Sequence, residues 1–112
     1  MAGLRPSDTE QRLLLTAWRL EGDAYGLAIR DELEEKTGRR IAVGAIYSTM
    51  VRLEKKGWVR SHLSGPTPVR GGKAKRFYRI TEDGKRTLEE ARAAMDTLWE
   101  GLAAPNPTRE EA

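Results

Sequence analysis

The 112-residue chain has no cysteine and a single histidine, His62. The absence of cysteine excludes disulfides, thiol catalysis and cysteine-based zinc or redox sites, and one histidine excludes a histidine-rich metal site. Long apolar runs are also missing, because the longest aliphatic run is Leu13-Leu14-Leu15. The sequence therefore predicts neither a secretory nor a membrane-spanning segment, and we expect a cytoplasmic protein without a cofactor.

The residue groups that enzymes use are missing as well. The chain has no evident nucleophile–base pair and no cluster of metal ligands, and Gly71-Gly72-Lys73 lacks the rest of a phosphate-binding loop. His62, on the outside of a predicted strand, is interpreted as an ordinary polar side chain or a neighbour of phosphate. We therefore expect no enzymatic activity.

Acidic residues are scarce in the middle of the chain. Between Arg39 and Ile80 lie eleven of the twenty Lys and Arg residues but one of the seventeen acidic residues, Glu54, while the formal net charge of the whole chain is only +3. A basic stretch between acidic ends is a local electrostatic footprint for a polyanion. This pattern makes a small DNA-binding regulator the leading hypothesis.

Capping residues and hydrophobic periodicity predict four helices and one hairpin in a single small domain. Ser7 and Glu10 form a capping box, Gly38 and Gly57 end helices, and Thr81 caps the last helix. The predicted helices cover about 8–20, 25–37, 43–56 and 82–102, and the predicted strands cover 58–63 and 76–80. This order predicts a mostly α fold with a small β-hairpin, a winged helix-turn-helix followed by a long C-terminal dimerisation helix.

The chain is accordingly divided into three parts. A winged-helix DNA-binding domain is expected at residues 8–81, a dimerisation helix at 82–103 and a flexible tail at 104–112. Because 33% of the residues are charged and 38% are hydrophobic, the core should be modest. A chain of this size has reason to bury further apolar surface against a second subunit.

The third predicted helix has two distinct faces. Its core face carries Ile46, Met50 and Leu53 within a sector of about 60°. A second face, about 100° away, is small, hydroxylated and basic. It comprises Ala45, Ser48, Thr49, Arg52 and Lys56. Short side chains let a helix backbone approach base edges in the major groove, where Ala45 can pack on a thymine methyl. A solvated face usually mixes charge signs, so groove binding is favoured over that alternative.

The loop between the two strands is rich in glycine and cations. Arg70, Lys73, Lys75 and Arg76 surround two glycines, so the loop can follow a phosphate backbone or enter the minor groove. The alternative is a disordered basic loop that serves solubility. Other cations of this stretch are expected to be phosphate contacts or surface charges, namely Arg39, Arg40, Lys55 and Lys56.

The last predicted helix carries an apolar seam with steps of three and four residues. Leu88, Ala91, Met95, Leu98 and Leu102 form this seam, and Trp99 lies beside it. The seam either packs on its own domain or pairs with a second subunit, and we favour a two-fold dimer. Helix one is expected to join the interface through Leu13, Leu14 and Trp18. Trp18 and Trp99 are interpreted as packing residues or, alternatively, as a platform for a flat hydrophobic effector.

Several segments together resemble the PadR-type bacterial transcriptional regulators over about residues 9–103. They include Tyr25-Gly26, Gly44-Ala45-Ile46-Tyr47, Arg52-Leu53-Glu54-Lys55-Lys56-Gly57 and Tyr78-Arg79-Ile80-Thr81-Glu82-Asp83-Gly84. The likeness is to the short subclass with one C-terminal helix. It implies a dimeric winged-helix repressor, effectors that are phenolic or flat and hydrophobic, a contact of Tyr47 with the DNA backbone, and a role for Tyr78 in seating the wing.

The chain departs from the family pattern in two places. Ala42-Val43-Gly44-Ala45 stands where Ser-Pro-Gly-Thr is common, which removes the usual cap and a threonine hydroxyl. The loop from Gly65 to Gly72 is longer and richer in proline than the family pattern leads us to expect. The expected function is a homodimeric sequence-specific DNA-binding regulator that represses by occluding a promoter and is released by a small hydrophobic effector at the dimer interface. The alternative is an interaction module whose basic wing binds an acidic protein.

Overall fold

The computed structural model describes residues 5–64 and 74–102, and its elements follow the predicted order. The helices are α1 (Asp8–Arg19), α2 (Gly26–Thr37), α3 (Val43–Lys55) and α4 (Glu82–Trp99), and the strands are β1 (Val59–Leu63) and β2 (Arg76–Ile80). The fold is mostly helical with one antiparallel hairpin, as predicted. The predicted tail at 104–112 lies outside the described residues. Within the described part of the chain, none of the helices has the length and apolarity that crossing a bilayer requires.

Helix ends follow the capping residues of the sequence. The Ser7 hydroxyl accepts from the Glu10 amide at 3.1 Å, and the Ser7 amide donates to the Glu10 carboxylate at 2.8 Å, so the capping box is confirmed. α2 ends at Gly38, as expected. Tyr25 is the N-cap of α2 rather than its first residue, and α4 ends at Trp99, three residues before its predicted end.

The core lies where α1, α2 and α3 meet the hairpin. The predicted core face of α3 is confirmed, since Ile46, Met50 and Leu53 are fully buried. The other large, fully buried side chains are Leu13, Leu14, Ile29 and Val59. This shared core fixes α3 against α1 and α2, so that one side of α3 remains available to solvent.

The hairpin pairs from Val59 opposite Ile80 to Leu63 opposite Arg76. It is held against the helices at its base, where the Tyr78 amide donates to the Ala24 carbonyl at 2.8 Å. The alternation of side chains along β1 places Val59 and Leu63 on the same face, but only Val59 is buried. Leu63 is 56% exposed, because it lies at the far end of β1 from the buried Val59–Ile80 pair.

α4 is anchored to the domain through its first half, where Leu88 is buried. The Thr81 hydroxyl accepts from the Gly84 amide at 3.0 Å, and a Cβ at Gly84 would collide with the Trp58 carbonyl oxygen. Only glycine permits that close approach. Every residue from Arg92 to Leu102 is exposed. We call residues 92–102, which comprise the end of α4 and the turn that follows it, the outer segment of α4.

Candidate nucleic-acid interface

The exposed side of α3 forms the centre of the candidate interface. It combines small, hydroxylated and cationic side chains with the apolar Val51 and the acidic Glu54. The helix starts at Ala42, its N-cap, without a side-chain capping bond. The exposed residues are Gly44, Ala45, Tyr47, Ser48, Val51, Arg52, Glu54 and Lys55. We call this set the outer face of α3. Of the predicted groove residues, Ala45, Tyr47, Ser48 and Arg52 belong to it.

Thr49 does not belong to the outer face, which corrects the prediction. Its side chain is 5% exposed, and its hydroxyl accepts from the Arg52 guanidinium at 3.4 Å. The buried sector of α3 is wider than Ile46, Met50 and Leu53 suggest, because both α1 and α2 pack against this helix. Thr49 is therefore a packing residue that borders the face and not a base reader.

Lys56 is also misplaced by the sequence prediction. Its ammonium nitrogen lies 2.8 Å from the Glu10 carboxylate and 5.0 Å from the centre of the Trp58 ring. The contact joins the end of α3 to the first turn of α1. Lys56 is thus engaged in holding two helices together, whereas its neighbour Lys55 is exposed on the outer face.

The Glu10 carboxylate that receives Lys56 is itself buried, at 4% exposure. Burial alone would raise the pKa of Glu10. The hydrogen bonds from Lys56 and the Ser7 amide, together with the charges of Lys56 and Arg52, outweigh burial and lower the pKa below its ordinary value of 4.5. The carboxylate is therefore ionised at neutral pH and the pair is charged.

Tyr47 lies where the outer face of α3 meets the start of α2. A Cβ at Gly26 would come within 2.6 Å of the Tyr47 hydroxyl oxygen, so the tyrosine ring packs closely over Gly26 and a larger residue there would displace it. The ring remains 42% exposed. The spatial link between Gly26 and Tyr47 could not be obtained from their distant positions in the sequence.

The described part of the hairpin places two predicted cations beside α3. The Lys75 ammonium lies 4.3 Å from the centre of the Tyr25 ring, and the Arg76 guanidinium donates to the Ser61 hydroxyl at 2.8 Å. Arg70 and Lys73, the other two predicted wing cations, lie outside the described residues. Tyr78 is buried at the base of the hairpin, and this burial raises the pKa of its phenol above 10.0. Its hydroxyl therefore stays protonated.

An open cleft of about 400 Å³ separates the outer face of α3 from the hairpin. Tyr47 and Val51 line it from α3, Leu27 lines it from α2, and Lys75 lines it next to β2. The cleft is lined by apolar and aromatic groups, with Lys75 and Arg76 as its charged residues. The two cations make this cleft a candidate for contact with a DNA phosphate.

A second exposed surface lies on the outer segment of α4. Met95, Leu98, Trp99 and Leu102 are each more than half exposed. The spacing of Met95, Leu98 and Trp99 places them on one side of the helix, and Leu102 follows in the turn after α4. Ala91, earlier in the predicted seam, is partly buried. An apolar stripe of this kind on a small protein marks an interaction site.

Three residues assigned to a dimer interface by the sequence are instead core residues of the protomer. Leu13 and Leu14 are fully buried and Leu88 is 6% exposed, so none of them can contact a partner. On α1 the exposed leucine is Leu15, which lines a shallow cavity with Trp18 and Arg19. The run of three leucines did not show which of them faces solvent, because neighbouring helix residues differ by about 100°.

The two tryptophans considered as effector contacts lie in different settings. Trp18 is partly buried against the core, and the Lys85 ammonium lies 5.0 Å from the centre of its ring. Trp99 is the last residue of α4 and is 53% exposed. Among the described residues, no group of three or more His, Cys, Asp or Glu side chains is arranged to hold a metal ion.

Comparison with known proteins agrees with this geometry. Residues 14–90 match the transcriptional regulator PadR-like family. The chain is similar to transcriptional regulator Rv3488 of Mycobacterium tuberculosis, with 32% identity over 87 residues that cover 78% of this chain and 77% of that protein.

Solved structures of regulators share the fold. A transcriptional regulator from Clostridium thermocellum superposes with a TM-score of 0.65 at 27% identity, covering 80% of this chain and 84% of that one. A PadR family transcriptional regulator from Eggerthella lenta gives 0.61 at 29% identity, covering 82% and 80%. The chain therefore belongs to the PadR-like family of transcriptional regulators, which act through DNA and are not enzymes.

Proposed function

We propose that the protein is a homodimeric, sequence-specific repressor that places the outer face of α3 in the major groove of promoter DNA. The observation that carries this proposal is the position of Ser48 and Arg52 on an exposed helix face beside a basic hairpin. A recognition helix needs short polar side chains that let its backbone approach the bases, and this face supplies them.

The groups on the outer face divide into two roles. Arg52 and Ser48 read base edges, and Ala45 packs on a thymine methyl. Tyr47 and Lys55 contact the sugar–phosphate backbone on either side of them. One DNA strand then lies in the cleft between α3 and the hairpin, where Lys75 and Arg76 neutralise phosphates. Arg70 and Lys73 are assigned from the sequence to further contacts with phosphates or the minor groove.

The outer segment of α4 supports the dimer. Met95, Leu98, Trp99 and Leu102 form an apolar stripe that the protomer leaves exposed, and pairing two such stripes across a two-fold axis removes both from water. Leu15 and Trp18 extend the interface on α1. A two-fold dimer also presents two α3 helices to successive turns of one DNA face, about 34 Å apart.

Repression follows from occupancy. A dimer bound across a promoter excludes the polymerase from it. A flat hydrophobic effector that stacks on Trp18 or Trp99 at the dimer interface changes the spacing of the two α3 helices and releases the DNA. The protein acts in this way in the bacterial cytoplasm.

The experiment is a fluorescence anisotropy titration with a duplex selected from a random library and with generic duplex DNA, each over a salt series. We expect tight binding to the selected duplex and weaker binding to generic DNA, with a log–log salt slope of about 0.9 for each phosphate contacted. Absence of binding to any duplex near micromolar concentration at low salt would contradict the proposal and favour a module that binds an acidic protein.

A further inference from the structure

Glu54 is an exception in the most basic part of the chain. It is the one acidic residue between Arg39 and Ile80, and it is exposed on the flank of α3 beside the hairpin. On charge alone, a carboxylate at this place repels DNA phosphates and weakens binding. Its contacts give a reason for its presence.

A continuous chain of hydrogen bonds runs from Glu54 into the hairpin. The Ser61 hydroxyl oxygen lies 3.0 Å and 3.1 Å from the two carboxylate oxygens of Glu54. The Arg76 guanidinium donates to the same hydroxyl at 2.8 Å. A hydroxyl has one donor and two acceptor lone pairs, so Ser61 donates toward Glu54 and accepts from Arg76. Because Ser61 is in β1 and Arg76 is in β2, the chain joins α3 to both strands.

We propose that Glu54 is a positioning residue, which acts through Ser61 to fix Arg76 and the hairpin relative to the outer face of α3. Glu54 accepts the Ser61 proton on the α3 side, which leaves the lone pairs of Ser61 for Arg76. The guanidinium has five N–H donors and this contact uses one of them, so Arg76 is held in place where it lines the cleft. The inference rests on the proposed DNA-binding function.

Other contacts also hold the hairpin to the helices, so the fold does not depend on the Glu54–Ser61–Arg76 hydrogen bonds. The Thr81 amide donates to the Trp58 carbonyl at 2.9 Å and the Tyr78 amide donates to the Ala24 carbonyl at 2.8 Å. Val59 and Ile80 are buried beneath the base of the sheet. Loss of Glu54, which is exposed, should therefore alter DNA binding without unfolding the protein.

The decisive experiment compares Glu54→Ala with Glu54→Gln. Both variants remove the negative charge, but glutamine keeps a carbonyl oxygen that accepts from Ser61. We expect Glu54→Ala to bind the selected duplex about three- to tenfold more weakly. Glu54→Gln should stay within about twofold of the native protein, rescued by its carbonyl. If the charge alone matters, both variants bind more tightly than the native protein, and the inference is wrong.

A double-mutant cycle tests the route through Ser61. The loss of affinity caused by Arg76→Ala should be smaller in the Glu54→Ala or Ser61→Ala background than in the native one, because Arg76 is no longer held in place. Equal losses in all backgrounds would contradict the route. Glu35→Ala, which removes an exposed acid from α2, is the matched control and should change affinity by less than about twofold.

Two further measurements distinguish failure of this inference from loss of the fold and from failure of the proposed DNA-binding function. Melting temperatures of the Glu54 variants should lie within about 4 °C of the native value, and a larger fall would contradict a positioning role by showing a structural one. If the native protein binds no duplex at all, the proposed function fails and this inference fails with it. If the native protein binds and both Glu54 variants bind more tightly, the inference alone fails.

Discussion

The outer face of α3 and the outer segment of α4 are both exposed helical surfaces, yet their chemistry differs. The α3 surface combines Ser48, Arg52 and Lys55, whereas the α4 surface aligns Met95 and Leu98 with other apolar residues. Cations and hydroxyls suit a polyanion, which exchanges bound counterions for protein charges. An apolar stripe suits a surface that excludes water, such as a second copy of itself. This difference supports the proposal that α3 contacts DNA and that α4 pairs two subunits.

Disrupting the apolar surface on the outer segment of α4 should reduce DNA binding more than any other change. Leu98→Glu places two carboxylates at the proposed two-fold interface, so we expect a monomer by light scattering at micromolar concentration. Loss of the second half-site should weaken binding to the selected duplex by about 100-fold or more. The matched control is Thr97→Glu, because Thr97 lies outside the apolar stripe on the same exposed segment. A Leu98→Glu protein that stays dimeric would remove α4 from the interface.

Breaking the polar surface should give the next largest effect. Arg52→Ala should weaken binding to the selected duplex by about 1–3 kcal/mol and relax specificity at one base position, as measured by anisotropy on single-base variants of the duplex. Arg86→Ala, on the part of α4 that lies near the domain, is the control and should leave binding nearly unchanged. Unchanged affinity in Arg52→Ala, with the fold intact, would show that Arg52 is not a reader.

The hairpin cations should act on all DNA sequences alike. Replacing Lys73 and Lys75 with alanine should weaken selected and generic duplexes by similar factors and lower the log–log salt slope by about 0.9 for each lost phosphate contact. The measurement is the same salt series used for the native protein. A change in sequence preference without a change in slope would mean that the hairpin reads bases instead.

The adjacent residues Lys55 and Lys56 should have different roles, one in DNA binding and the other in stability. Lys56→Met leaves the buried Glu10 carboxylate without its ion pair, so it should lower the free energy of unfolding by about 1–3 kcal/mol with little effect on DNA binding. Lys55→Met should weaken DNA binding and leave the free energy of unfolding nearly unchanged. Urea unfolding and anisotropy on both variants measure the two effects, and a DNA-binding defect confined to Lys56→Met would reverse their assignment.

The stability that the Glu10–Lys56 pair contributes should fall as the pH falls. The folded pKa of Glu10 is lowered from 4.5, so its ionised form contributes stability above about pH 4.5. This contribution is lost as the pH falls through the lowered folded value. In Lys56→Met the folded pKa moves upward. The variant should therefore lose less stability on acidification below pH 4.5 than the native protein loses.

Local signals in the sequence were sufficient for the elements of the fold. The capping box at Ser7 and Glu10, the end of α2 at Gly38 and the buried face of α3 depend on residues three to four apart or on single positions. Such signals do not require knowledge of the rest of the chain. The excess of cations from Arg39 to Ile80, with Glu54 as the one acidic residue, likewise follows from the sequence alone.

The errors came from contacts between distant segments. Periodicity placed Thr49 and Lys56 on one face, but the directions from which α1 and α2 pack decide which edge of that face is buried. The pairing of Lys56 with Glu10 joins residues 46 positions apart, and no local pattern predicts it. The same limit applied to Leu13 and Leu14, because a run of three leucines does not show which one faces solvent.

Hydroxyl-radical footprinting of the native protein on its selected duplex tests the central claim most directly. If a two-fold dimer presents two α3 helices to one face of DNA, the protection should form two symmetric half-sites. Their centres should be separated by about 10 base pairs, or by a whole multiple of that distance. A single asymmetric patch of protection at saturating dimer, or protection without any two-fold relation, would contradict the account.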